Sequence, residues 1–292
     1  MFGLLVMRWD KRYLGLGLCV ALLLLFSACS STARVERPII SVSLLPEKYF
    51  VERMVGDLAE VHVVVPRGSN PETYDPSPRD IAMLQSSVAY FAIGSLPFEA
   101  QWVAILPKEV AYIDLGKQLP KALQVGSQEG HLHALGDPHY WTSLSGGEAM
   151  AKAILAALVE LFPEHREEIE ANYKAKVMPE LEEIKQLGTE VFKGREGLAF
   201  VIYHPSLTLF ARDWGLTQLP IEEDGVEPTS KYLVALIERA RSLDTKVVLV
   251  QAEFDIKNAE AVASELGLRV VTIDPLAEDW GAEMKQLIEI FR

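Results

Sequence analysis

The stretch LAFVIYHPSLTLFARDWGLTQLPI, Leu198 to Ile221, decides the fold. It opens on an apolar run, Leu198–Tyr203, that reads as a strand. A helical stretch follows at Leu207–Trp214, and a second strand candidate at Gln218–Ile221. Working outward toward the C-terminus, strands are expected at Lys246–Gln251 and Arg269–Ile273, and helices at Ser230–Ser242, Lys257–Leu266 and Ala282–Phe291. The first half has the same rhythm. Its strand candidates are Ile39–Leu44, Val61–Val65, Val88–Ile93 and Val110–Asp114, with helices at Glu47–Val55 and Pro78–Gln85. Ser77 is placed to cap the second of these, with Pro78 at the first helical position, where its missing N–H costs nothing. Strands and helices alternating at this spacing imply α/β units with mainly parallel sheets.

Between the halves, Pro163 to Phe192 is rich in Glu, Lys, Ala and Leu and free of glycine until Gly188. As one helix it would span roughly 45 Å at a rise of about 1.5 Å per residue. Pro179 is expected to kink or split it, since a proline inside a helix removes a hydrogen bond and clashes with the preceding turn. The expected fold is therefore two similar lobes, each a mainly parallel sheet flanked by helices, joined by a long connector helix. The expected boundaries are an N-terminal lobe over 38–162, the connector over 163–194 and a C-terminal lobe over 195–292.

The N-terminus has a different character. Arg8, Lys11 and Arg12 precede an apolar run from Tyr13 to Phe26, and the small residues Ser27 and Ala28 precede Cys29. This is the layout of a secretory signal over residues 1–28, too short for a comfortable membrane-spanning helix of about 20 residues. Residues 29–37 read as a polar tether. The only cysteines are Cys19 and Cys29, so the body of the chain can form no internal disulfide. Removing residues 1–28 takes 28 basic residues to 25 and 41 acidic residues to 40, a formal charge of −15. That acidic balance argues against a nucleic-acid partner and accords with a cationic ligand.

In doubly wound folds, ligands sit beyond the carboxyl ends of the strands. Four polar residues there, or in the adjoining loops, stand out. His204 directly follows the strand of the opening stretch and is held by Pro205, and Asp274 follows Ile273 in the same way, held by Pro275. His139 lies in Asp137-Pro138-His139-Tyr140-Trp141, ahead of a helix whose start is expected at Ser145-Gly146-Gly147-Glu148, a capping-box spacing. Glu72 lies in the proline-stiffened loop Gly68 to Pro78 after the second strand. Singly, each has an ordinary structural reading: a turn starter, a packed ring or a solvated carboxylate.

Taken together, these segments resemble the metal-specific solute-binding proteins of bacterial ABC importers, the ZnuA-type and TroA-type lipoproteins that deliver zinc or manganese. The family's Pro-His-x-Tyr-Glu-Pro-Ser/Thr-Pro motif is matched by Pro71 to Pro78, and its Asp-Pro-His-x-Trp motif by Asp137 to Trp141. Its second-lobe histidine, with a following helix and an aromatic-Gly-Leu step, is matched by His204 through Leu216, and its late Asp-Pro-Leu by Asp274 to Leu276. Glu227-Pro228-Thr229-Ser230 is similar to the family's Glu-Pro-Ser/Thr helix start, and Leu25 to Cys29 resembles a lipobox ending at an acylated cysteine.

The resemblance implies a metal site of Glu72, His139, His204 and Asp274, two ligands from each lobe, and a lipid anchor at Cys29. It implies an extracytoplasmic monomer tethered to the membrane, with an ABC permease and its ATPase as partners. Glu72 departs from the family pattern, which has histidine there. Without it, a three-ligand site with an open position remains.

Imidazoles suit zinc, and carboxylates suit manganese or ferrous iron. Raw affinity favours zinc over manganese, and four ligands in a tetrahedral shell also suit zinc. Zn2+ is favoured as the transported ion, with Mn2+ or Fe2+ as alternatives. His131 and His133 are auxiliary candidates, whereas His62 and His165 receive no role. Two other readings stay open: a mononuclear metal-dependent enzyme, which a turnover assay would reveal, and a receptor for a metal chelate, which a bare-ion titration would separate.

Overall fold

The computed structural model describes residues 37–123, 138–222, 226 and 228–292. Residues 1–36 with Cys29, the histidines His131 and His133, and Asp137 and Glu227 lie outside the described residues. No helix among the described residues is long and apolar enough to cross a membrane.

The first sheet comprises β1 (Ile39–Val42), β2 (Glu60–Val63), β3 (Ala89–Ala92) and β4 (Ala111–Asp114), all parallel, in the order β2-β1-β3-β4. Covering both faces of a parallel sheet demands apolar central strands, and β3 is buried at every residue whereas the edge strand β2 is not. Helix α1 (Leu45–Val55) carries Pro46 in its first turn. Helix α2 (Pro78–Gln85) begins as its sequence suggests: Ser77 Oγ accepts from the Asp80 N–H at 3.3 Å and the Asp80 carboxylate from the Ser77 N–H at 2.9 Å.

Two further helices, α3 (Pro97–Val103) and α4 (Leu115–Gln118), were absent from the sequence expectation. Both are too short to display a helical period over the 11–18 residues on which that signal depends. Buried Glu99 organises the start of α3, its carboxylate accepting from the N–H groups of Ile93, Gly94 and Leu96 and from Ser43 Oγ. Glu47 of α1, also fully buried, accepts from the Leu44 N–H. Burial pushes both carboxyl groups upward, Glu47 well above the ordinary range, with the charge of Glu99 adding to the effect on Glu47.

The chain then forms α5 (Leu144–Leu161), α6 (Arg166–Asn172), a π-helical turn (Tyr173–Val177) and α7 (Met178–Phe192). The cap of α5 is Ser143, whose Oγ accepts from the Gly146 N–H, and not Ser145 as its spacing suggests. Ser145 instead donates from both N–H and hydroxyl to Asp213, an acceptor that only tertiary packing brings near. The proline in the connector is accommodated by the π-helical turn. That turn shifts the backbone bonding ahead of Pro179, which then sits in the first turn of α7.

The second sheet repeats the design of the first, with β5 (Leu198–Ile202), β6 (Thr217–Pro220), β7 (Asp244–Gln251) and β8 (Val270–Ile273) in the order β6-β5-β7-β8, all parallel. Helices α8 (Thr208–Trp214), α9 (Ser230–Ser242), α10 (Lys257–Leu266) and α11 (Trp280–Glu289) complete it.

One apolar core runs through both halves, from Phe50 and Trp141 to Phe200 and Trp280, and a smaller one covers the outer face of the second sheet. Trp280 is the main bolt. Its ring lies 4.9 Å from that of Phe50, its Nε1 donates to the Trp141 carbonyl, and a Cβ at Gly147 would fall 2.3 Å from it. Only glycine, which has no Cβ, fits at position 147. Glu180 of α7 accepts from the Tyr49 hydroxyl on one side and pairs with Lys285 at 3.3 Å on the other. The connector is therefore fastened to both halves.

Candidate metal centre

The strand ends deliver the site. β2 leads into the loop bearing Glu72, whose N–H donates to Asn70 Oδ1 at 2.9 Å. His139 precedes α5, and its neighbour Tyr140 donates its hydroxyl to the Ile93 carbonyl just past β3, mooring this loop to the first sheet. His204 lies two residues past β5. The terminal residue of β7, Gln251, holds its backbone on both sides: Oε1 accepts from the His204 N–H at 3.3 Å and Nε2 donates to the His204 carbonyl at 2.6 Å. Phe254 stacks on the His204 ring, with centroids 5.5 Å apart and planes 19° apart. Trp141 meets the His139 ring edge-on at 5.3 Å.

Among the described residues, Glu72, His139 and His204 form one group able to hold a metal ion. The separations are 3.3 Å between the two Nε2 atoms, 3.6 Å from His139 Nε2 to Glu72 Oε1, and 3.5 Å from His204 Nε2 to the same oxygen. Ligands about 2.0–2.2 Å from a tetrahedral ion lie about 3.3–3.6 Å from one another. The triangle is the right size for one face of such a shell. Both histidines are buried and the Glu72 side chain is 30% exposed, so the group is dry on the imidazole side and reachable from the carboxylate side.

Sequence reasoning passed over Glu222, two residues beyond β6. Its Oε2 lies 2.6 Å from His204 Nδ1. A carboxylate accepts and cannot donate, so Nδ1 carries the hydrogen and Nε2 is the atom left to bind a metal. This is the carboxylate–histidine arrangement that orients metal ligands and raises their basicity. Burial lowers the His204 pKa, but hydrogen bonds and charge from Glu222 and Glu72 outweigh it and bring it up to about 9. The signal for Glu222 was its place directly after a strand candidate. The acidic run Glu222-Glu223-Asp224 masks it by reading as a solvated turn.

Asp274 stands apart from the triangle. Its Oδ2 lies 3.3 Å from Arg67 Nη2, Oδ1 accepts from the Leu276 N–H at 3.2 Å, and its own N–H donates to Glu283 Oε1 at 2.9 Å. The cleft over the triangle is lined by Glu72, His139, His204 and Glu253, and by Pro275 and Leu276 from the Asp274 turn.

Residues 40–292 match the family described as ZnuA, zinc-uptake complex component A, periplasmic. The high-affinity zinc uptake system protein ZnuA of Bacillus subtilis (strain 168) is 25% identical over 290 residues, covering 91% of this chain and 89% of that protein. A crystal structure of a ZnuA superposes with a TM-score of 0.78 at 34% identity, covering 87% of this chain and 97% of the other. The periplasmic zinc-binding protein TroA from Treponema pallidum shares the fold, with a TM-score of 0.77 at 14% identity over 87% of this chain and 98% of its own. With nearly every described residue inside the family match and the paired parallel sheets shared, the chain belongs to the ZnuA family of solute-binding components of metal ABC importers.

Proposed function

We propose that this protein captures a divalent transition metal, zinc in first place and manganese next, and hands it to an ABC permease driven by its ATPase. The observation that carries the reading is the Glu72–His139–His204 triangle, with edges matching a tetrahedral shell and one imidazole oriented by Glu222. Zinc accords with the two imidazoles and with the zinc-uptake proteins among its relatives. Ligands from the loops of both sheets place the ion between two lobes, divided at about residues 163–194. The many bonds across Trp280 and Glu180 limit closure to a small rocking. Asp274 is the fourth ligand in this reading.

Residues 1–28 direct export, and acylated Cys29 tethers the monomer to the membrane beside its permease, with residues 29–37 as slack. His131 and His133 serve as auxiliary capture ligands.

Metal content and zinc–manganese competition on protein lacking residues 1–28 test the site. One equivalent of zinc is expected, and His139→Ala and His204→Ala should each lose most of it. Both variants retaining one equivalent at unchanged affinity would show the site to be elsewhere. Cys29→Ala should release the protein from membranes with zinc binding intact.

A further inference from the structure

We propose that Arg67 competes with the metal for Asp274 and thereby sets the affinity of the site; this rests on the metal-binding reading above. Asp274 flanks the cleft: its neighbours Pro275 and Leu276 line it, and Glu253, which also lines it, feels the charges of Asp274, His204 and His139 alike, while Asp274 Oδ2 meets the guanidinium of Arg67 and Oδ1 accepts from the Leu276 N–H. Arg67 belongs to the loop after β2, five residues before Glu72, and Asp274 follows β8, so the pair crosses from one sheet system to the other. A second pair runs beside it: Lys48 of α1 meets Glu278 at 2.5 Å, four residues after Asp274. Two cations of the first half thus face two acids of the second half next to the site.

The chemistry is an exchange. A guanidinium beside Asp274 offsets the negative charge that draws a dication and repels the dication itself, so the metal gains the full pull of Asp274 as Arg67 lets go. Arg67 is 73% exposed, and once displaced its charge returns to water at little cost. An exposed pair of this kind is weak, so the competition is worth no more than about fivefold in affinity. That is small enough for a metal to win and large enough to make the ion easier to release.

The test uses the full chain in detergent, titrated with zinc against a chromophoric competitor at low and high salt. Arg67→Gln should tighten zinc binding about three- to fivefold and flatten its salt dependence, and Arg67→Lys should restore most of the wild-type behaviour. Asp274→Asn should weaken binding, and in that background Arg67→Gln should change nothing further. Unchanged or weaker affinity in Arg67→Gln overturns the competition. So does an equal gain in the Asp274→Asn background, since Arg67 would then act only as a general charge. Unaltered affinity in Asp274→Asn also overturns it while leaving a three-ligand metal receptor standing. A wild-type chain that takes up no zinc overturns the metal-binding reading and this inference together.

Discussion

Glu222 Oε2 sits 2.6 Å from His204 Nδ1 on the opposite side of the ring from His139 Nε2, which lies 3.3 Å from His204 Nε2. One contact thus fixes which nitrogen keeps its hydrogen when the ring is neutral, and the other marks where a cation would be shared. Neither residue achieves this alone. β6 must lie beside β5 for Glu222 to reach the ring, and the two halves must dock for His139 to meet it.

Removing that orienting carboxylate should be costly without disturbing the fold. Glu222→Ala is expected to lower zinc affinity about 10–100-fold, the usual cost of losing an outer-shell partner. Competition titration measures the loss, with unchanged circular dichroism as the control. Wild-type affinity in this variant would mean that Glu222 does not tune the ligand.

Metal binding should displace a proton. His204 has its pKa raised to about 9 and is protonated at neutral pH, whereas a ligating imidazole must be neutral. Affinity should therefore fall about tenfold for each pH unit below that value while this is the only proton displaced. Calorimetry in buffers of different ionisation enthalpy reads the proton release directly. Binding with no proton release between pH 6 and 8 would contradict the assignment.

The buried carboxyl of Glu47 makes a separate prediction about stability. Its folded-state pKa is raised by burial and by Glu99, so the folded protein holds a proton that the unfolded chain releases near the ordinary carboxylate range. The stability this contributes is complete below that range and is lost as pH rises through the raised value. Glu47→Gln mimics the neutral form and should show a Tm that declines less steeply with rising pH than the wild type, with zinc affinity unchanged. Parallel pH profiles for the two proteins would refute it.

Trp280 should carry much of the coupling between the halves. Trp280→Ala removes a ring packed on Phe50 and Gly147 and should cost about 3–5 kcal/mol in urea unfolding, the range for large-to-small core changes. Loss below about 1 kcal/mol, typical of exposed positions, would show that the interface does not depend on this ring.

Much of the architecture was legible because it is local. The apolar run Leu198–Tyr203 and the capped start at Ser77 and Pro78 report backbone preferences that operate within a few residues. Helix α3 escaped notice because seven residues show no period, and its start depends on the buried carboxylate of Glu99. Ser145 misled for a related reason: its spacing is that of a capping box, but its hydroxyl is claimed by Asp213, 68 residues away.

The candidate site divides along the same line. The sequence by itself determined that His139 and His204 occupy loops at the sheets' carboxyl ends, because alternating strands and helices leave few other places for them. The tertiary structure alone decided which atoms meet: Glu72 with the two imidazoles, Glu222 behind His204, and Arg67 on Asp274. Those pairings span 18 to 207 residues, and no local preference encodes them. They arise from strand order and from the burial of Trp280 between the halves, which sets where the strand-end side chains stand.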